Sequence, residues 1–181
     1  MATSKPAGSR LPLIAAVAGA VVLLDATTKL VATQALHEGR QTEVLGGLIR
    51  LDLYRNFAGP NNILPGQAVA ISLFAIAAVA VLIGVALRVG KTSSAVAVGL
   101  LLGGAIGNLL DRLLREPGPL RGGVVDWLRF TDRTQSMNLA DLAIDAAIVV
   151  MVVVAFLGWR RGEGSGRPDE SGTAAADNLR R

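Results

Sequence analysis

The chain has 181 residues, 51% of them hydrophobic, a net charge of +4 and a mean hydropathy of +0.49, which is too apolar for an ordinary water-soluble domain. It has no cysteine, which excludes disulfides, zinc–thiolate sites and cysteine nucleophiles, and its single histidine, His37, rules out an HExxH metal site and argues against a Ser/His/Asp triad. The basic residues are scattered through loops and a tail, so the pI near 10.3 points to membrane topology and not to nucleic acid.

Residues 1–10 carry Lys5 and Arg10 and read as a short cytoplasmic tail. From Leu11 the chain is apolar past Leu24, is broken only by Asp25 and Lys29, and runs on to Leu36. Cations ahead of an apolar run resemble a signal peptide, but this run is on the long side and continues beyond Lys29. It reads as a retained first membrane helix. In the loop that follows, "IRLDLYRN" sets Leu51 and Leu53 against Arg50, Asp52 and Tyr54 with a period of two, which predicts a short strand. Ala68 to Leu87 holds no charge, nor does Thr92 to Leu110, and each is close to the ~20 residues a helix needs to cross ~30 Å of hydrocarbon. The third helix carries Ala95, Gly99, Gly103 and Gly107 four apart, a face that lets another helix backbone come close. "GGVVDWLRF" (122–130) is extended in character. A fourth apolar block runs from Asn138 to Trp159 with Asp141 and Asp145 near its start, and the polar residues 161–181 read as a disordered cytoplasmic tail. The expected fold is an all-α polytopic membrane protein: four transmembrane helices in one domain, 11–160, with a small extracytoplasmic β element.

The short connector "RVGK" (88–91), the N-terminal tail and Arg160–Arg161 are all basic, which places both termini inside. The two longer loops mix arginines with nearly as many acids. With this orientation the polar residues gather at one depth. Asp25 and Lys29 lie in the outer half of the first helix; Asn108, Asp111 and Arg112 end the third on one face; Asn138 and Asp141 begin the fourth, and Asp126 can reach them from the loop between. Charges inside a membrane are costly unless paired, so such a cluster marks a functional site. Each residue also has a plain structural reading, Asp25 with Lys29 as an i, i+4 pair, Arg112 as an interfacial anchor and Asn108 as an interhelical hydrogen bond. Asp145, one turn deeper, is a possible partner of Lys29 or a helper and stays unassigned. Two carboxyl groups held close share a proton, and one can activate water while the other protonates a carbonyl.

"DATTK" (25–29), "RN" (55–56), "GGAIGNLLDR" (103–112), "VVDW" (124–127) and "NLAD" (138–141) occur in the order found in lipoprotein signal peptidases, which the chain resembles from about residue 11 to 160. That resemblance implies a bacterial inner-membrane aspartyl endopeptidase, with no metal or cofactor. It would remove the signal peptide of a prolipoprotein just before the diacylglyceryl-modified cysteine, at the outer leaflet. It implies Asp126 and Asp141 as the catalytic pair, with Asp25, Lys29, Asn56, Asn108, Asp111, Arg112 and Asn138 holding the pair and contacting substrate. The partners implied are diacylglyceryl-modified prolipoproteins and membrane lipid; a monomer is the expected state, although the sequence itself does not give it. Two segments depart from the family pattern. "NFAGPNNIL" (56–64) has Ala58 where Gly is expected and a Gly-Pro inserted, and "LLREPGPLRGG" (113–123) is longer than expected and reads as an enlarged surface loop. The alternatives are an inactive paralogue that binds lipidated peptides and a proton-coupled transporter component. The second would spread its polar residues through the membrane and show internal repeats, which are absent from the sequence.

Overall fold

A computed structural model describes residues 10–59, 66–131 and 134–160. The expected tails at 1–9 and 161–181, and the part of the divergent segment at 60–64, lie outside the described residues.

Four long helices form where the apolar blocks lie: α1 (Leu11–Ala35), α2 (Ala68–Ala86), α3 (Thr92–Leu114) and α4 (Leu139–Arg160). All four are long and apolar enough to cross a membrane. Three strands, β1 (Thr42–Val44), β2 (Ile49–Asn56) and β3 (Val124–Phe130), pair antiparallel in the order β1-β2-β3. The alternation in 49–56 and the Val-rich 124–130 thus become neighbouring strands, while β1 carries too short a pattern to be read in advance.

α3 is the central helix, packed against α1, α2 and α4. Its small residues explain why. A Cβ on Gly99 would stand 2.8 Å from the Val17 side chain, one on Gly103 2.8 Å from the Ala18 carbonyl oxygen, and one on Gly104 2.6 Å from the Ala140 carbonyl oxygen. The four-residue ladder therefore seats α1, and Gly104 on the adjoining face seats α4. α2 and α4 point their large side chains outward, with Phe74 75% and Val152 62% exposed, as lipid-facing helices do.

The two ends of the bundle differ. At one end the Arg10 guanidinium donates to the Gly90 carbonyl (3.1 Å), which joins the start of α1 to the basic α2–α3 connector. The sheet, the C-termini of α1 and α3 and the N-terminus of α4 share the other end. The segment 115–123 is a surface loop, as the sequence suggests, with Glu116, Pro117, Pro119 and Arg121 exposed, but its later part is fastened to the helices. Ser72 Oγ on α2 lies 2.8 Å from the Leu120 carbonyl oxygen, the Gly122 amide donates to the Arg112 carbonyl (3.1 Å), and Gly122 and Gly123 are buried. A Cβ on Gly122 would sit 2.3 Å from the Asp111 carbonyl oxygen, so only glycine fits there. The extra residues fasten β3 to the end of α3.

Candidate active site

The site is assembled around Asn138. The Met137 amide donates to the Leu128 carbonyl (2.7 Å) and the Trp127 amide to the Met137 carbonyl (3.0 Å), so the segment entering α4 is zipped onto β3 beside Asp126. Asn138 then caps α4. Its Oδ1 accepts from the Asp141 amide (3.0 Å), while Asp141 Oδ2 accepts from the Asn138 amide (3.2 Å). This reciprocal capping box satisfies orphan amides at the helix start and fixes the Asp141 side chain in the same stroke. The free Nδ2 of Asn138 donates to Asp126 Oδ1 (2.6 Å) and to Asn108 Oδ1 (3.1 Å). One fully buried asparagine thus touches both carboxyl groups.

Each carboxyl group has a second amide. Asn56 Nδ2 donates to Asp126 Oδ2 (3.1 Å), and Asn108 Nδ2 donates to Asp141 Oδ1 (2.8 Å). Asn56 reaches across because β2 and β3 pair Tyr54 with Asp126, which puts Asn56 one diagonal step away. Asp126 is 1% exposed, and its pKa is raised to about 7. Burial is the main cause and the nearby Asp141 charge the next, opposed by the amides of Asn138 and Asn56 and by Lys29.

Behind the asparagines lies a buried ion cluster. Lys29 Nζ sits 2.7 Å from Asp25 Oδ2, 2.8 Å from Asp111 Oδ2 and 3.1 Å from Asn108 Oδ1, which uses all three of its donors. Asp25 Oδ1 accepts from the Ala140 amide (3.0 Å) in the first turn of α4, where the helix dipole favours negative charge. Asp111 accepts from the Val125 amide (3.1 Å) and from Arg115. Asp25 and Lys29 are therefore more than an i, i+4 pair: they clamp α1, α3, α4 and β3 together. Lys29 does not pair with Asp145, because its donors are committed elsewhere. Arg115 was not singled out from the sequence, although its i, i+4 spacing from Asp111 is a readable signal.

The pair faces a cavity of about 700 Å³. Asn56, Asn108, Arg112, Asp126, Thr134, Gln135, Ser136 and Asp141 give it polar lining; Ile71, Phe74, Ala75 and Ala78 of α2, Ala105 of α3, and Ile144 and Asp145 of α4 complete it. α2 and α4 both pack on α3 and touch each other at most slightly, so the cavity is a cleft bounded by these helices. Arg112 is 4% exposed, and its Nη1 has no hydrogen-bond partner among the described residues. No cluster of potential metal ligands occurs among the described residues.

Four apolar helices of spanning length around a buried site that holds two carboxyl groups define a polytopic membrane protein. A bacterial membrane enzyme solved by the in meso method at 2.3 Å resolution matches with a TM-score of 0.74 and 21% identity over 88% of this chain and 95% of that one. A second, at 1.9 Å, matches with a TM-score of 0.69 and 23% identity over 80% and 92%. The family follows from the sequence comparison: the chain belongs to the signal peptidase (SPase) II family of peptidases, whose model matches residues 17–157. It is 35% identical to the lipoprotein signal peptidase of Leifsonia xyli subsp. xyli over 97% of this chain and 87% of that protein. It is 34% identical to that of Mycobacterium avium over 83% and 82%.

Proposed function

We propose that the chain removes signal peptides from diacylglyceryl-modified prolipoproteins, hydrolysing the bond before the lipid-bearing cysteine, with Asp126 and Asp141 as the catalytic pair. The observation that carries this reading is the bridging of both carboxyl groups by Asn138 at a cleft lined by α2, α3 and α4. A lipid-modified peptide can enter sideways between α2 and α4 and keep its acyl chains in the bilayer.

Asp126, with a pKa of about 7, keeps a proton near neutral pH and serves as the acid. Asp141 is the base. It takes a proton from a water molecule whose oxygen adds to the scissile carbonyl carbon, while Asp126 gives its proton to the carbonyl oxygen. The resulting diol collapses: the C–N bond breaks, the nitrogen takes the proton from Asp141, and a hydroxyl proton returns to Asp126. Water is divided between the new carboxyl and amino ends, and no covalent intermediate forms. Arg112 Nη1, buried and unpartnered, holds a donor ready for a substrate carbonyl. Asn56, Asn108 and Asn138 fix the two carboxyl groups; Asp25, Lys29 and Asp111 fix the asparagines and strands.

The enzyme acts as a monomer in the bacterial cell membrane, with both termini cytoplasmic and the site at the outer leaflet. Support for that orientation is the grouping of Arg10, Arg88 and Lys91 at the end opposite the site. The test is a gel-shift cleavage assay in liposomes with a diacylglyceryl-modified prolipoprotein, wild type against Asp126→Asn and Asp141→Asn. Cleavage by wild type alone is expected. Full activity in both variants would remove the pair from the mechanism.

A further inference from the structure

Among the described residues, Asp145 is the one cleft-lining carboxyl group that the mechanism leaves unused. It follows Asp141 by four residues, so it faces the same way about 6 Å farther along α4. It is exposed, it lines the same cavity, and it makes no hydrogen bond or ion pair among the described residues. The same cavity is lined by the apolar Phe74, Ala75, Ala78 and Ile144 and by the polar Thr134, Gln135 and Ser136, and α4 beyond Asp145 is uncharged to Trp159. A carboxyl group facing a membrane cleft is costly, and no described residue pairs with it. What fills the cleft can supply the partner.

We propose that Asp145 is a specificity-determining residue that accepts a hydrogen bond from a hydroxyl side chain on the signal peptide, two or three residues before the cleaved bond. The inference rests on the function proposed above. An extended peptide advances ~3.3 Å per residue, so the separation of Asp141 and Asp145 along α4 corresponds to about two residues. The direction agrees: the signal peptide runs from the cut back into the membrane, and so does α4 from Asp141 to Asp145. Beside apolar walls, a serine or threonine hydroxyl satisfies the carboxyl group, whereas an alanine leaves it without a partner. Sites that hydrogen-bond a substrate group discriminate strongly against analogues lacking it.

The experiment uses diacylglyceryl-modified peptides with Ala or Ser at the second and third positions before the cut, varied one at a time. The enzymes are wild type, Asp145→Asn and Asp145→Leu, and the readout is the Ser-to-Ala ratio of kcat/KM. Wild type should prefer serine at one of the two positions by about tenfold, as expected for a hydrogen bond to a carboxylate. Asp145→Leu should bring that ratio to about one, and Asp145→Asn, which keeps a carbonyl acceptor, should retain part of it. No preference in wild type, or the same ratio in wild type and Asp145→Leu, overturns the proposal. A uniform loss on all peptides by folded Asp145→Leu, with the ratio preserved, overturns it as well and gives Asp145 a role in the chemistry. Failure of wild type on every peptide would instead strike at the proposed function itself.

Discussion

Replacing Asn138 with serine separates the two jobs of that residue. Serine is as good a helix cap as asparagine, so its hydroxyl can still accept from the Asp141 amide and keep the start of α4 in place. What is lost is the Nδ2 donor 2.6 Å from Asp126 Oδ1. That bond stabilises the ionised form of Asp126, and removing it favours the protonated form, so the pKa rises from its present value of about 7. A hydrogen bond to a charged group contributes about 1.5–3 kcal/mol, which corresponds to about one to two pH units. If Asp126 is the acid, it must be protonated to act, and the alkaline limb of the kcat/KM profile marks its loss. The variant should therefore keep activity to a more alkaline pH than wild type, even if its maximum rate is lower. The assay is a cleavage rate measured from about pH 5 to pH 9 in liposomes, with circular dichroism as a check on the fold. An alkaline limb that stays in place, or moves down, refutes the assignment of Asp126 as the acid.

Because the folded pKa of Asp126 lies above that of an unfolded aspartate, its contribution to stability is present in full below about pH 4 and is lost as pH rises through about 7. The melting temperature in detergent should decline over that window, and the decline should be shallower in Asp126→Asn; an equal slope in both would contradict it. Lys29→Met strands the buried carboxylates of Asp25 and Asp111 and should lower stability by about 3–5 kcal/mol in denaturant titrations. A melting curve like that of wild type would show that the cluster does not clamp the helices. Gly104→Ala pushes a methyl against the Ala140 carbonyl oxygen and should cost about 1–3 kcal/mol, while Gly19→Ala, with nothing within 4 Å, should be neutral or slightly stabilising. Equal melting temperatures for the two glycine variants would remove the close α3–α4 contact.

Much of the architecture could be read along the chain, because a membrane imposes its period on the sequence. Uncharged blocks of the right length are α2 and most of α3, the four-residue ladder of small side chains is the α1 seat, and the alternation at 49–56 is β2. The polar positions were readable too, since charge is rare in such a chain and its cost makes each instance informative. The structure brings Asp25, Lys29, Asn56, Asn108, Asp111, Arg112, Asp126, Asn138 and Asp141 into one network or onto one cleft.

Tertiary structure alone decided which of those residues touch. Lys29 reaches Asp111 and Asn108 rather than Asp145 because the glycines of α3 bring α1 close at that level. Asn56 meets Asp126 through a strand register with an irregularity between Leu51 and Tyr54, which no local pattern specifies. The Gly/Pro-rich 115–123 segment, polar and loop-like as text, is buried at Gly122 because α2 supplies Ser72 and α3 supplies the Arg112 carbonyl. Sequence reports what each residue prefers to be next to, namely lipid, water or another charge; the pairing of distant residues depends on helix spacing and strand register, and those are set only when the whole chain has packed.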